Sequence, residues 1–163
     1  MNFGQVLPSG IPTAVRKYAA ILMSHIKQSG FKRVFIPASG DLGLVKAAMV
    51  AGFAPEDIYA SDIGLFPTIL GYVICGKPFD DLDVVVLDQE MQGYLEESNR
   101  LEKFACVIVS MKLGQLRQTI ALENLHIEDL RANTRQYITT VAEQLGRMEK
   151  EYKIGRASCR ERV

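Results

Sequence analysis

A short stretch near the start of the chain combines residue types that could hold a nucleoside-containing cofactor. The run VFIPASGDLG places Ser39, Gly40 and Gly43 in a turn between an apolar segment and an apolar helix pattern. Glycines let the backbone approach a ligand closely, and the N-terminus of the following helix favours a negatively charged group. Asp62 ends the run IYASD about twenty residues later, where an acid is placed to bind the two hydroxyls of a ribose.

The spacing of these residues narrows the choice of cofactor. The turn lacks the GxGxxG spacing of dinucleotide-binding proteins, which counts against NAD. Asp41 lies inside the turn and suits a ligand with an ammonium group, as S-adenosylmethionine has beside a carboxylate that backbone donors can hold. Ile63 is placed to lie against the adenine. The alternatives are another nucleotide, a turn that binds no ligand, and Asp41 as an ordinary helix N-cap.

The hydrophobic pattern around this turn predicts an α/β arrangement. A helix is expected over residues 12–29, and a βαβα unit over residues 33–76. KRVFIP reads as a buried strand and EDIYASD as a second strand, with helices in LGLVKAAMVAG and GLFPTILGYVICG. Because such crossovers are right-handed, the two strands should be parallel neighbours.

The second half of the chain reads as mostly helical over residues 96–150. NRLEKFACVIVSMKLGQLRQ favours a buried helix, although FACVIVSM alone also fits a buried strand. From residue 122 to about residue 150 a sparse apolar stripe predicts one long amphipathic helix, or two. DVVVLD, between the two halves, could form another strand.

The end of the chain has a composition unlike the rest. Residues 154–163, IGRASCRERV, match a common sequencing adapter translated in frame, and we expect them to be an artefact that makes no packed contacts. The natural part would then be residues 1–153, a single truncated domain. The full chain has 19 basic and 19 acidic residues; without three arginines and one glutamate of the tail, 16 basic and 18 acidic residues remain. This balance gives no overall electrostatic signature of nucleic-acid binding.

Other residue classes argue against several functions. Cys75 and Cys106 lie far apart with no nearby histidine, which indicates reduced thiols in a cytoplasmic protein. His25 and His126 stand alone, so no metal site is expected. No apolar run is long enough to span a membrane, and the start of the chain has no secretion-signal pattern.

Residues 30–72 resemble the cofactor-binding start of a DNA adenine methyltransferase, and more narrowly phage and prophage antirestriction adenine methyltransferases. The resemblance rests on FIPASGDLGL, IYASDI and LGYVICGKPFDDL. It implies an incomplete Rossmann-like, S-adenosylmethionine-dependent methyltransferase fold with a helical C-terminal segment, and DNA as partner. In that family the glycine turn and the second-strand acid hold the cofactor, here Gly40, Gly43 and Asp62. The sequence departs from the commoner family turn, Pro-Phe-x-Gly-x-Gly, because it reads Pro37-Ala38-Ser39-Gly40-Asp41-Leu42-Gly43.

The catalytic motif implied by the same resemblance is absent from the sequence. Such enzymes carry Asp/Asn-Pro-Pro-Tyr/Phe, which binds the adenine amine and stacks on the flipped base. The chain has six prolines and no two are adjacent. We therefore expect a fragment that binds the cofactor and has no catalytic residues of its own. The alternatives are a non-catalytic methyltransferase-like protein that binds DNA or host factors, and a nicotinamide- or nucleotide-dependent enzyme of another class.

Overall fold

The structure is a computed structural model that describes residues 13–117 and 124–160. The described residues are mostly helical and include one two-stranded parallel sheet. The elements in chain order are α1 Thr13–Gln28, β1 Val34–Pro37, α2 Gly43–Val50, β2 Ile58–Ser61, α3 Leu65–Ile74, α4 Gln89–Glu97, α5 Arg100–Arg117, α6 Asn124–Ala132 and α7 Thr134–Arg160.

The described residues separate into two compact units. The first, here called the turn unit, comprises residues 13–71 and 150–160. The second, called the helical unit, comprises residues 72–117 and 124–149. Helices α3 and α7 each cross from one unit to the other, so each contributes residues to both cores.

The turn unit contains the predicted strand–helix–strand arrangement. β1 and β2 pair in parallel, with Val34 opposite Ile58 and Pro37 opposite Ser61. The short apolar run before each turn forms the strand, and α2 connects the two strands and packs against α1. The carboxyl ends of both strands therefore lie at the same edge of the sheet, which brings the turn after β1 beside the residue after β2.

β1 is half buried, whereas its sequence indicated a buried strand. Val34 and Ile36 are buried, whereas Phe35 and Pro37 alternate with them on the exposed face. The aromatic rings of Phe35 and Tyr59 stack across the two strands at 4.8 Å between centroids. One face of β1 is thus covered, as in a half-buried strand with side chains alternating between two faces, whereas β2 is mostly exposed.

A complete Rossmann-like sheet is not present in the described residues. DVVVLD, a possible further strand, is irregular and runs into α4. Of the four residues in its central VVVL run, only Val86 is buried. Asp88, at the end of the stretch, caps α4 by accepting the N–H groups of Glu90 and Met91. This stretch forms no strand in the described residues and ends in a capped helix, so the observed class is mostly helical with a small parallel sheet.

The helical unit buries the apolar segments of the second half of the chain. FACVIVSM lies within α5, which settles the helix-or-strand ambiguity in favour of the helix. The stripe after residue 122 forms two helices, α6 and α7, separated at Asn133. The large side chains of this unit that are almost fully buried are Val73, Met91, Phe104, Val107, Val109, Leu130, Tyr137, Ile138, Val141 and Leu145.

The predicted tail begins within α7. The backbone of α7 is helical through Arg160, which includes residues 154–160. The side chains of residues 154–163 lie outside the described residues, so the expected lack of packed contacts stays a prediction.

Candidate cofactor-binding site

The turn after β1 has an unusual backbone. Ala38, Gly40 and Leu42 have φ angles of 55°, 53° and 64°, whereas Ser39 and Asp41 between them do not have positive φ. Alternation of left- and right-handed residues turns backbone N–H groups towards a common concavity that suits an anion. The left-handed conformation costs a non-glycine residue about 1–2 kcal/mol. Contacts elsewhere must therefore hold Ala38 and Leu42 in place.

The Asp62 carboxylate accepts a hydrogen bond from this turn. The Gly40 N–H donates to Asp62 Oδ2 at 2.9 Å, and the Gly64 N–H donates to Asp62 Oδ1 at 2.8 Å. One carboxylate thus joins the turn after β1 to the chain after β2. The sequence predicted both residues for one site, and the structure brings them into direct contact.

These donors also determine the charge of Asp62. Backbone hydrogen bonds from Gly40, then Gly64, hold the pKa of the Asp62 carboxyl below its ordinary value of 3.8. The side chain is partly exposed and ionised at neutral pH. A carboxylate has about four lone-pair positions. The N–H groups of Gly40, Gly64 and Ile63 occupy part of these positions, and the remainder can receive the hydroxyls of a ribose.

Asp41 lies one residue earlier than a standard helix cap. Leu42 occupies the N-cap position of α2 and supplies no side-chain hydrogen bond. Asp41 Oδ1 instead accepts the N–H of Gly43, the first residue of α2, at 3.1 Å. Asp41 therefore does what an N-cap residue does, since it accepts a free N–H at the start of a helix. It lies, however, one residue before the N-cap position.

The backbone N–H groups of the turn were expected to bind a negatively charged group of the ligand. In the structure, four of them already donate to acceptors within the chain. Besides Gly40 and Gly43, Ser39 donates its N–H to the Ser61 carbonyl at 3.0 Å and Leu42 to the Ser39 carbonyl at 2.9 Å. These four N–H groups all have partners within the chain. The sequence could not show this, because the glycine spacing does not reveal which acceptor each N–H will meet.

The remaining predicted residues lie around this arrangement. Ile63, directly after Asp62, is completely exposed, with a relative exposure of 107%. Pro37 is exposed at the end of β1, and Ser39 is buried beneath the turn. Because Ile63 is not buried, it contributes no hydrophobic stabilisation to the fold. Its side chain is therefore available to contact the flat face of a ligand ring.

Sequence reasoning missed two residues at the turn, Leu42 and Tyr152. Both are buried, at 3% and 8% exposure, and the Tyr152 hydroxyl donates to the Leu42 carbonyl at 3.4 Å. The contact joins residues 110 positions apart, and no local pattern could have indicated it. In the sequence, Leu42 was interpreted only as the beginning of the helix that follows the turn.

Two other predictions concern metals and membranes. Within residues 13–117 and 124–160, no group of three or more His, Cys, Asp or Glu side chains is arranged to hold a metal ion. None of the described helices has the length and apolar character needed to span a bilayer.

Comparison with known proteins identifies the family. A family model described as Phage DNA Adenine Methylase-like domain 1 matches residues 9–160. The chain belongs to this family, which confirms the resemblance to a phage DNA adenine methyltransferase seen in its sequence. Neither a search of curated proteins nor a search of solved structures finds a match.

Proposed function

We propose that this chain is the cofactor-binding part of an S-adenosylmethionine-dependent DNA adenine methyltransferase with a Rossmann-like core. The observation that carries the proposal is the Asp62 carboxylate held by Gly40 and Gly64 where the two parallel strands end. Ligands of parallel α/β sheets bind outside the carboxyl ends of the strands. Family membership supports the methylase class and DNA as the proposed substrate.

The ribose, the ammonium group and the adenine of the cofactor each have a chemically suitable residue at this edge of the sheet. The ribose hydroxyls would donate to Asp62, the ammonium group would face Asp41, and the adenine would cover Ile63. Gly40 keeps the turn close to Asp62, while Pro37, Ser39 and Gly43 fix its two ends. The bound cofactor would supply the methyl group that is transferred to an adenine amine, and these residues would orient it by position and charge.

Catalysis itself would require residues outside those present here. The sequence has no adjacent prolines, so we propose that the chain is a fragment whose catalytic motif is encoded further along the gene. The same observation favours the alternative, a non-catalytic methyltransferase-like protein that binds DNA or a host factor. Sequencing the parent gene beyond codon 153 separates the two, because an in-frame Asp/Asn-Pro-Pro-aromatic motif supports the enzyme and its absence supports the alternative.

A titration with S-adenosylmethionine tests cofactor binding directly. We expect saturable calorimetric binding to the unmodified chain and about fivefold weaker binding to Ile63→Ser, since the adenine would lose about 1 kcal/mol of apolar contact. The thermal midpoint should not change, because Ile63 is fully exposed.

Val50→Ser is a matched control for this titration. Val50 is an apolar residue of the same unit with 76% exposure, and it is not among the predicted site residues. We expect its replacement to leave the affinity unchanged. Absence of binding to the unmodified chain would overturn the proposed function, and an equal loss in both variants would overturn the role of Ile63.

A further inference from the structure

The end of the described chain returns to the candidate site. Residues 150–160 of α7 belong to the turn unit, although more than 70 residues of the helical unit separate them in sequence from its other part. Lys46 of α2 forms an ion pair with Glu151, and the neighbouring Tyr152 reaches the Leu42 carbonyl. Two consecutive residues of α7 therefore contact the start of α2 and the turn before it.

The Leu42 carbonyl has two donors. Lys46 donates its backbone N–H to this oxygen at 3.0 Å, as the first turn of a helix requires, and Tyr152 donates its hydroxyl at 3.4 Å. The second hydrogen bond is long, but it is formed by a side chain with only 8% exposure against a residue with 3% exposure. Its ring and hydroxyl together restrict where Leu42 can move.

Leu42 needs such a restraint because of its backbone. Its φ of 64° is unfavourable for a branched side chain, and a residue in this state persists only when its surroundings hold it. Leu42 directly follows Asp41 in the sequence. A shift of Leu42 to an ordinary φ would turn the peptide between them and move the Asp41 carboxylate.

Tyr152 also lies close enough to Asp41 for the charge of this carboxylate to act on its hydroxyl. Burial raises the pKa of Tyr152 to about 12, and the negative charges of Glu151 and Asp41 contribute to the increase. The hydroxyl thus remains a hydrogen-bond donor throughout the physiological range.

We propose that Tyr152 is a positioning residue, which holds the Leu42 carbonyl and so keeps Asp41 where it meets the ammonium group of the cofactor. The proposal rests on the proposed function for the identity of the ligand. It assigns to the α7 end a role in recognising the amino-acid portion of the cofactor, separate from the recognition of the nucleoside by Asp62 and Ile63.

Two ligands distinguish positioning of the turn from general stabilisation. S-adenosylhomocysteine carries the amino-acid portion, and 5′-methylthioadenosine has the same nucleoside without it. We expect Tyr152→Phe to weaken S-adenosylhomocysteine about two- to fivefold, the usual effect of one neutral hydrogen bond, and to leave 5′-methylthioadenosine unchanged. Tyr152→Ala should widen the difference between the two ligands.

Tyr137→Phe is the matched control. Tyr137 is also a buried tyrosine of α7, and its hydroxyl donates to Asp129 at 2.8 Å in the helical unit. We expect this variant to lose stability and keep both affinities. Equal weakening of both ligands by Tyr152→Phe, or no weakening of either, would overturn the positioning role.

Hydrogen–deuterium exchange of the unliganded protein provides a test that does not depend on the ligand. Tyr152→Phe should speed exchange in residues 38–46 relative to the unmodified chain, while Tyr137→Phe should not. If the unmodified chain binds neither ligand, the proposed function fails, and unchanged exchange in residues 38–46 would refute the contact of Tyr152 with the turn independently.

Discussion

The two units of the protein use their apolar residues differently. In the helical unit, Phe104, Ile138 and Leu145 have no measurable exposure. In the turn unit, aromatic and aliphatic side chains of similar size remain in contact with solvent, among them Phe35 at 71% and Ile63 at 107%. Both units have a dry core and some exposed apolar residues, such as Ile69 at 0% in the turn unit and Leu87 at 89% in the helical unit. What distinguishes the turn unit is that its exposed Ile63 directly follows Asp62, whose carboxylate the Gly40 and Gly64 N–H groups hold. Exposed apolar residues next to orienting polar groups are typical of ligand sites.

The same substitution in both units should give the largest contrast. Phe104→Ala removes a ring that is fully buried and in edge contact with Tyr72 and Phe79, and should cost about 3–5 kcal/mol in the free energy of unfolding. Phe35→Ala removes an exposed ring stacked on Tyr59 and should cost about 1 kcal/mol. Urea unfolding measures both values.

The contrast between these phenylalanines can also fail in an informative way. A cost at Phe35 as large as that at Phe104 would mean that the outer face of the sheet is covered in solution. The contrast between the dry core around Phe104 and the open strand face at Phe35 would then be wrong.

The residues that the sequence predicted best are those fixed by local geometry. Gly40 and Asp62 follow directly after two parallel strands, and the ends of such strands lie together whatever the rest of the fold does. α4 was not predicted, because among its nine residues only Met91 is buried and the apolar stripe is too weak to see. Tyr152 was missed because its contact with Leu42 depends on the path of the whole helical unit.

An intermediate effect is expected at a charged contact of the helical unit. Arg100 donates from Nη2 to Glu149 at 2.7 Å and from Nη1 to the Lys77 carbonyl at 2.8 Å, and the Glu149 side chain is only 11% exposed. Arg100→Gln should therefore cost about 2 kcal/mol, since hydrogen bonds between charged groups are stronger than neutral ones. Unfolding in urea again provides the measurement.

Lys103→Gln is the matched control on the same helix. Both Arg100 and Lys103 lie over a phenylalanine ring at 5.8 Å, but the partner of Lys103 is Asp80, with 86% side-chain exposure, at 3.9 Å. An exposed pair of this kind contributes little. Equal costs for the two substitutions would show that burial of Glu149 does not strengthen the Arg100 contact.

The smallest effect is expected in the turn unit and depends on pH. The pKa of Asp62 is lowered by the N–H groups of Gly40 and Gly64, so its contribution to stability is fully present above its unfolded pKa of about 3.9. This contribution is lost as the pH falls through the lower folded pKa.

Asp62→Asn should lower the thermal midpoint near neutral pH, because an amide offers one acceptor oxygen to two donors. The gap between the variant and the unmodified chain should then close in acid, where the protonated Asp62 is also a weaker acceptor. Glu56→Gln, at an exposed position just before β2, controls for the loss of one negative charge. A gap that stays constant between about pH 2 and pH 7 would mean that the ionised carboxylate does not hold the turn.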